Sequence, residues 1–183
     1  MIRRLTSLRL ATLLAACLPW AAAPVSAEVV SRTVDGFVLR YEVRVETTPD
    51  DAYRALGEVG RWWNGAHTYS GSGANLTLPL AVGACLCEAL ADGTLFEHGR
   101  VTALDPATGA QLDAPLGPLK GKANRAQLSI AWVPAVRGLS LVMTYEVQGA
   151  GLGALAGPVD GVMGDQFARY ARYVEYGESP DEP

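Results

Sequence analysis

One stretch near the C-terminus constrains the fold more than any other. From Pro158 to Gly177, the residues Val159, Val162, Met163, Gln166-Phe167, Tyr170 and Tyr173-Val174 recur every three to four positions. That spacing predicts a helix with one buried stripe and with Arg169 and Arg172 outside it. It is the only long helix after the N-terminal segment, because residues 37–149 read as short alternating strands. A curved antiparallel sheet wrapped around one long helix is the simplest α+β arrangement that buries both apolar faces. Such an arrangement commonly leaves a hollow between sheet and helix.

The first residues read as an export signal rather than as part of the fold. Arg3, Arg4 and Arg9 precede or border an apolar run from Leu10 to Leu18, and Val25-Ser26-Ala27 supplies small residues for cleavage before Glu28. The run is too short for a membrane span. A competing reading makes Leu14-Ala15-Ala16-Cys17 a lipobox and Cys17 a lipidated N-terminus, but the residues after Cys17 are apolar rather than a polar tether. The expectation is therefore a signal peptide over 1–27, one domain over 28–177, an acidic tail over 178–183, and a periplasmic or secreted protein. Removing 1–27 takes three arginines and no acid, leaving 12 basic and 19 acidic residues, formally −7 against −4 for the whole chain. That balance argues against nucleic acid and anionic membrane surfaces as partners.

Phe37, Leu39, Tyr41, Val43 and Val45 alternate with polar neighbours and predict a strand with one dry face. Thr48-Pro49-Asp50-Asp51 then predicts a capped helix start, followed by a second short helical turn through Trp62-Trp63. Residues His67–Gly73 read as a loop without the lysine and following helix that a phosphate loop needs. Further strands are predicted at Leu76–Leu80, Cys85–Leu90, Leu95–Leu104, Gln111–Pro115 and at two segments centred on Ile130 and Met143.

Asp92-Gly93 between Cys85–Leu90 and Leu95–Leu104 is a strong hairpin signal. A two-residue turn there sets Glu88 opposite Glu97 and Cys87 opposite His98. Parity then puts Leu86, Glu88, Leu95, Glu97 and Val101 inward, and Cys85, Cys87, Phe96, His98 and Arg100 outward. Two facing carboxylates on the inner face would raise one pKa and could serve as acid and base. Cys85 and Cys87, two apart on a regular strand, have Cβ atoms roughly 7 Å apart, beyond the ~3.5–4.5 Å of a disulfide, so free thiols are expected. With His98 they form a weak candidate set for zinc or copper, but no fourth ligand is evident and two cysteines packed as small apolar residues are commoner. No metal or cofactor is expected. A hydrolytic triad has no motif to support it, since His67 and His98 are the only histidines and no Gly-x-Ser-x-Gly occurs.

The order of strand, two short helices, six strands and long helix over residues 35–177 resembles the START-like helix-grip superfamily, also described as SRPBCC or polyketide cyclase/Bet v 1-like. Thr48-Pro49-Asp50-Asp51-Ala52-Tyr53 leading to Trp62-Trp63 is similar to the opening of its Hsp90-ATPase-activator-homology branch. Val101 to Pro106 and the terminal helix with Val159-Asp160 and Gln166 carry the rest of the likeness. The resemblance implies a curved sheet of about seven strands holding an apolar or amphipathic small molecule against the C-terminal helix. Trp63 would line the cavity mouth, His67 and Tyr69 would gate it, and Glu88, Glu97, Trp132, Met143, Tyr145, Met163 and Phe167 would face the ligand. Asp160 and Gln166 could solvate its polar end. A binding module is the first reading. An enzyme of the cyclase or isomerase kind using Glu88 and Glu97, and a structural or partner-binding protein with a filled core, are the alternatives. The co-chaperone role of the named branch needs a cytosolic ATP-driven partner and does not suit an exported chain.

Overall fold

The computed structural model describes residues 26–178. Most of the expected leader, including Cys17, and the tail after Glu178 lie outside the described residues. Eight antiparallel strands form one sheet in the order β1-β2-β8-β7-β6-β5-β4-β3. In chain order they are β1 (Ser26–Arg32), β2 (Gly36–Val45), β3 (Leu76–Thr77), β4 (Cys85–Ala89), β5 (Leu95–Asp105), β6 (Gly109–Asp113), β7 (Arg125–Pro134) and β8 (Leu139–Gln148). Helices α1 (Pro49–Gly57) and α2 (Val59–Trp62) follow β2, and α3 (Ala156–Tyr176) closes the chain. The strand beyond the expected seven is β1, whose Val29-Val30 pair breaks the alternation that betrays a half-buried strand; it pairs with the outer side of β2.

The dry face of β2 is the one the alternation predicts, with Phe37, Leu39, Tyr41, Val43 and Val45 all buried. Helix α1 starts where the sequence puts it. Thr48 accepts from the Asp51 N–H, and Pro49 occupies the first turn, where its missing N–H costs nothing. Helix α3 ends at Gly177, whose φ of 70° is the left-handed cap that glycine supplies.

Large aromatic side chains occupy the space between sheet and helix. Tyr41, Trp132, Tyr145, Phe167 and Tyr170 are wholly buried within one contiguous core that also holds Met143 and Met163. Each such side chain contributes roughly 1.5–3 kcal/mol by leaving water. Their polar tips are spent on crosslinks. Trp132 Nε1 donates to the Tyr170 hydroxyl at 3.0 Å, which donates in turn to the Ala52 carbonyl at 2.8 Å, tying β7, α3 and α1 together. Tyr145 donates to the Ala114 carbonyl at 2.6 Å, and Tyr41 to the Asp160 carboxylate at 2.7 Å. Burial, then the Asp160 contact, pushes the Tyr41 hydroxyl well above the ordinary tyrosine range.

The β4–β5 hairpin departs from the expected register. Leu90 accepts from Gly93 N–H and donates to Thr94 O, so the loop spans Ala91-Asp92-Gly93, three residues rather than two. Gly93 has a φ of 81°, as a three-residue hairpin loop with a left-handed last position requires. Glu88 therefore faces Phe96, not Glu97, and Cys87 faces Glu97. A second correction lies one step further on. Leu86 pairs with Gly99, so His98 is an extra residue on β5 and the ladder bulges there. A Cβ on Gly99 would sit 2.8 Å from the Ala114 Cβ, so only glycine fits the bulge. The inner face of the hairpin consequently carries Leu86, Glu88, Phe96, His98 and Val101, while Leu95 is exposed and Glu97 turns out to Arg100.

The same irregularity overturns the expectation of free thiols. Cys85 and Cys87 form a disulfide with their Cα atoms 5.3 Å apart, against about 6.6–6.8 Å for two regular strand steps. A regular strand forbids that bridge; a strand kinked opposite a bulge does not. The disulfide lies on the outer face and His98 on the inner one, so the three weak metal candidates do not converge. No group of three or more metal-ligating side chains is found among the described residues. Tryptic mapping of unreduced, alkylated protein should recover Cys85 and Cys87 in one peptide two mass units light and unlabelled. A doubly alkylated peptide would mean that the strand is regular.

Candidate functional site

The inner face of β4–β5 carries the most unusual chemistry in the molecule. Glu88 lies one residue beyond Cys87 on β4, with no part of its side chain exposed. Its Oε2 stands 2.7 Å from His98 Nε2, and the His98 side chain is 8% exposed. Two backbone donors complete the set: Tyr69 N–H reaches Oε2 at 3.1 Å, and Ser70 N–H reaches Oε1. The loop that supplies them joins α2 to β3.

Burial pushes the Glu88 carboxyl up, but the Ser70 side chain and N–H, His98 and the Tyr69 N–H together outweigh it and hold the group below the ordinary glutamate range. An ionised Glu88 accepts from His98 Nε2, which places the proton of a neutral ring on that nitrogen and leaves Nδ1 an acceptor. The arrangement can orient a ligand's polar group or support proton transfer at Nδ1.

An aromatic cover lies over the pair. Tyr69, 58% exposed, stacks on His98 at 5.8 Å between centroids and packs at a tilt against Phe96 at 4.5 Å, and Lys120 Nζ sits 4.3 Å above the Phe96 ring. The loop's other end is held from α3. Gln166 Oε1 accepts Asn64 N–H at 2.9 Å, and Asp165 accepts from the Asn64 side chain at 2.7 Å. One loop is thus latched twice, by a carboxylate on the sheet and by an amide and a carboxylate on the helix. Gln166 Nε2 is buried without a hydrogen-bond partner among the described residues, which costs about 1–3 kcal/mol if left so.

The structure brings Tyr69 and Glu88 together but separates Glu97, whose side chain is 43% exposed and pairs with Arg100 on the far face. The facing carboxylates expected from a two-residue turn do not exist. His67 is exposed in a 3-10 turn, and Trp63 is buried against Trp62 at 5.8 Å. Trp132, Met143, Tyr145, Met163 and Phe167 all belong to the packed core. Among the clefts at the surface of the described residues are two of about 850 and 450 Å³, and neither of these is lined by Glu88, His98 or Gln166. Sequence reasoning missed His98 as the partner of Glu88, and Asn64 and Ser70 as latch points. The signal for His98 was Gly99, since a glycine inside a strand pattern marks a bulge.

Comparison with known proteins places this geometry in a fold. The chain is similar to CalU16 from Micromonospora echinospora, at 11% identity and a TM-score of 0.57 over 87% of this chain and 89% of that one. It is similar to protein MLL2253 from Mesorhizobium loti, at 16% identity and a TM-score of 0.55 over 74% and 94%. The di-domain ARO/CYC protein StfQ from the steffimycin biosynthetic pathway also matches, at 14% identity and a TM-score of 0.53 over 79% of this chain and 52% of that one. The protein has the START-like helix-grip fold. No protein-family model matches the chain, and no curated protein matches it in sequence.

With its folded pKa depressed, Glu88 adds stability at pH values above the unfolded glutamate pKa of about 4.3, and that contribution disappears as pH falls through the lower folded value. Glu88→Gln should lower stability by about 1–3 kcal/mol at pH 7, because one donor then meets an amide N–H2. The deficit should shrink in acid, where the wild-type carboxyl is also neutral. Urea unfolding of both proteins across that range checks it, and equal midpoints at pH 7 would remove Glu88 as a latch.

Proposed function

We propose that this chain is an exported small-molecule-binding domain that takes an apolar or amphipathic ligand on the concave face of the sheet, beneath the loop from Asn64 to Asn75. The observation that carries the reading is the Glu88–His98 pair, which is buried on the inner face and roofed by a loop tied down through backbone N–H groups. A purely structural core gains little from a desolvated carboxylate, whereas a ligand's polar end gains an oriented imidazole. The closed arrangement admits a ligand when the Tyr69–Ser70 segment lifts from Glu88, which exposes His98 Nδ1 and the aromatic interior together.

The fold supports the binding reading, because proteins sharing it include StfQ of a biosynthetic pathway and DynU16 of the dynemicin biosynthetic locus. Export is supported by the N-terminal pattern of Arg3, Arg4 and the apolar run to Leu18, and by a disulfide, which oxidising compartments permit. No helix among the described residues is long and apolar enough to cross a membrane. The formal charge of −4 argues against nucleic acid as a partner.

The Glu88–His98 pair also favours a second reading, an enzyme of the cyclase or isomerase kind in which His98 moves a proton and Glu88 orients it. Glu97 has no part in it. Native mass spectrometry of the protein isolated from its own cells tests the binding reading: a small organic adduct, released on acidification, is the expected result. Bare protein that also fails to bind 2-acetylnaphthalene at millimolar concentration would overturn it.

A further inference from the structure

Among the described residues, Gln166 is the buried side chain that keeps an unused hydrogen-bonding atom. It is wholly buried at the middle of α3, one turn from Met163 and Tyr170 and next to Phe167, all of them buried residues of the inner stripe. Its orientation is fixed by the loop. Oε1 accepts the Asn64 N–H at 2.9 Å, and turning the amide over would set Nε2 against that N–H, donor to donor. Nε2 is therefore the end that points away from the loop backbone, and it finds no acceptor there. Native interiors leave few donors unmet, and each unmet one needs an explanation, an acceptor from outside the chain among them.

We propose that Gln166 Nε2 is the specificity contact for a carbonyl oxygen of a neutral, otherwise apolar ligand. The inference rests on the ligand-binding reading above and names the class of ligand for that site. An uncharged acceptor fits better than a carboxylate for two reasons. The contact is a single neutral donor, and Glu88, buried on the concave face, is an anion that repels another. A ligand hydroxyl fits worse than a carbonyl, because its own proton would need a further buried acceptor.

The test uses three matched probes on the full-length protein: 2-acetylnaphthalene, its hydrocarbon counterpart 2-ethylnaphthalene, and 2-naphthoate. Binding is followed by tryptophan fluorescence, to which the buried Trp62, Trp63 and Trp132 contribute. The wild type should hold the ketone about five- to tenfold tighter than the hydrocarbon, the worth of one hydrogen bond, with naphthoate weaker than the ketone. Gln166→Met also gives up the Oε1 latch on Asn64, so the hydrocarbon serves as the reference for the site itself, and the ratio of ketone to hydrocarbon affinity should fall to about one. The carbonyl stretch of bound, carbon-13-labelled ketone should lie lower in the wild type than in Gln166→Met. An unchanged preference in the variant, or a wild type that ranks hydrocarbon or naphthoate level with the ketone, overturns the inference while leaving the binding reading intact. If neither naphthalene binds the wild type, the inference is overturned, and the binding reading falls with it only where the protein isolated from its own cells also carries no adduct.

Discussion

A carboxylate without water is the constraint on which the rest of this site depends. Glu88 keeps its charge on the concave face only because His98 and two backbone N–H groups replace its hydration. Each replacement dictates a piece of local structure. The histidine must face inward although Gly99 and Val101 follow it on the same strand, which the bulge at His98–Gly99 makes possible. The N–H groups of Tyr69 and Ser70 must point at the carboxylate, which requires the loop to be fixed at its start. Gln166 and Asp165 fix it there from the helix.

The core follows a different logic at the other end of the sheet. Tyr41, Trp132, Tyr145 and Tyr170 fill the space under α3, and each satisfies its polar tip on a backbone or side-chain partner. Full satisfaction makes that region stiff and specific. The region under the loop differs in kind, with an exposed tyrosine as roof and one amide nitrogen unpaired. Among the described residues, the polar inventory is incomplete at Gln166, which holds the start of the loop.

The long helix, the capped start of α1 and the dry face of β2 were legible in the sequence because each rests on local chemistry: a 3.6-residue period, Thr48 and Pro49 at a cap, strict alternation from Phe37 to Val45. The likeness to helix-grip proteins was legible for the same reason, since element order survives where identity has fallen to 11–16%. The hairpin was half legible. Asp92-Gly93 marked the turn correctly, yet one additional loop residue moved Glu88 from Glu97 to Phe96 and reversed the direction of its pKa shift. Pairwise register is a tertiary property, and a single bulge resets it. The Cys85–Cys87 disulfide was illegible for the related reason that regular strand geometry forbids it. His98 was assigned to the outer face by parity, and only the glycine after it hinted otherwise.

The account turns on Glu88 being a buried anion that holds the loop, and a pH titration by nuclear magnetic resonance measures this most directly. The side-chain carboxyl carbon of Glu88 and the amides of Tyr69 and Ser70 would be followed together from neutral pH into acid. The account predicts a carboxyl midpoint below the ordinary glutamate value of about 4.3, with both amides protected from exchange above that midpoint and released through it. A midpoint at or above the ordinary value, or amides that exchange freely at neutral pH, would contradict it.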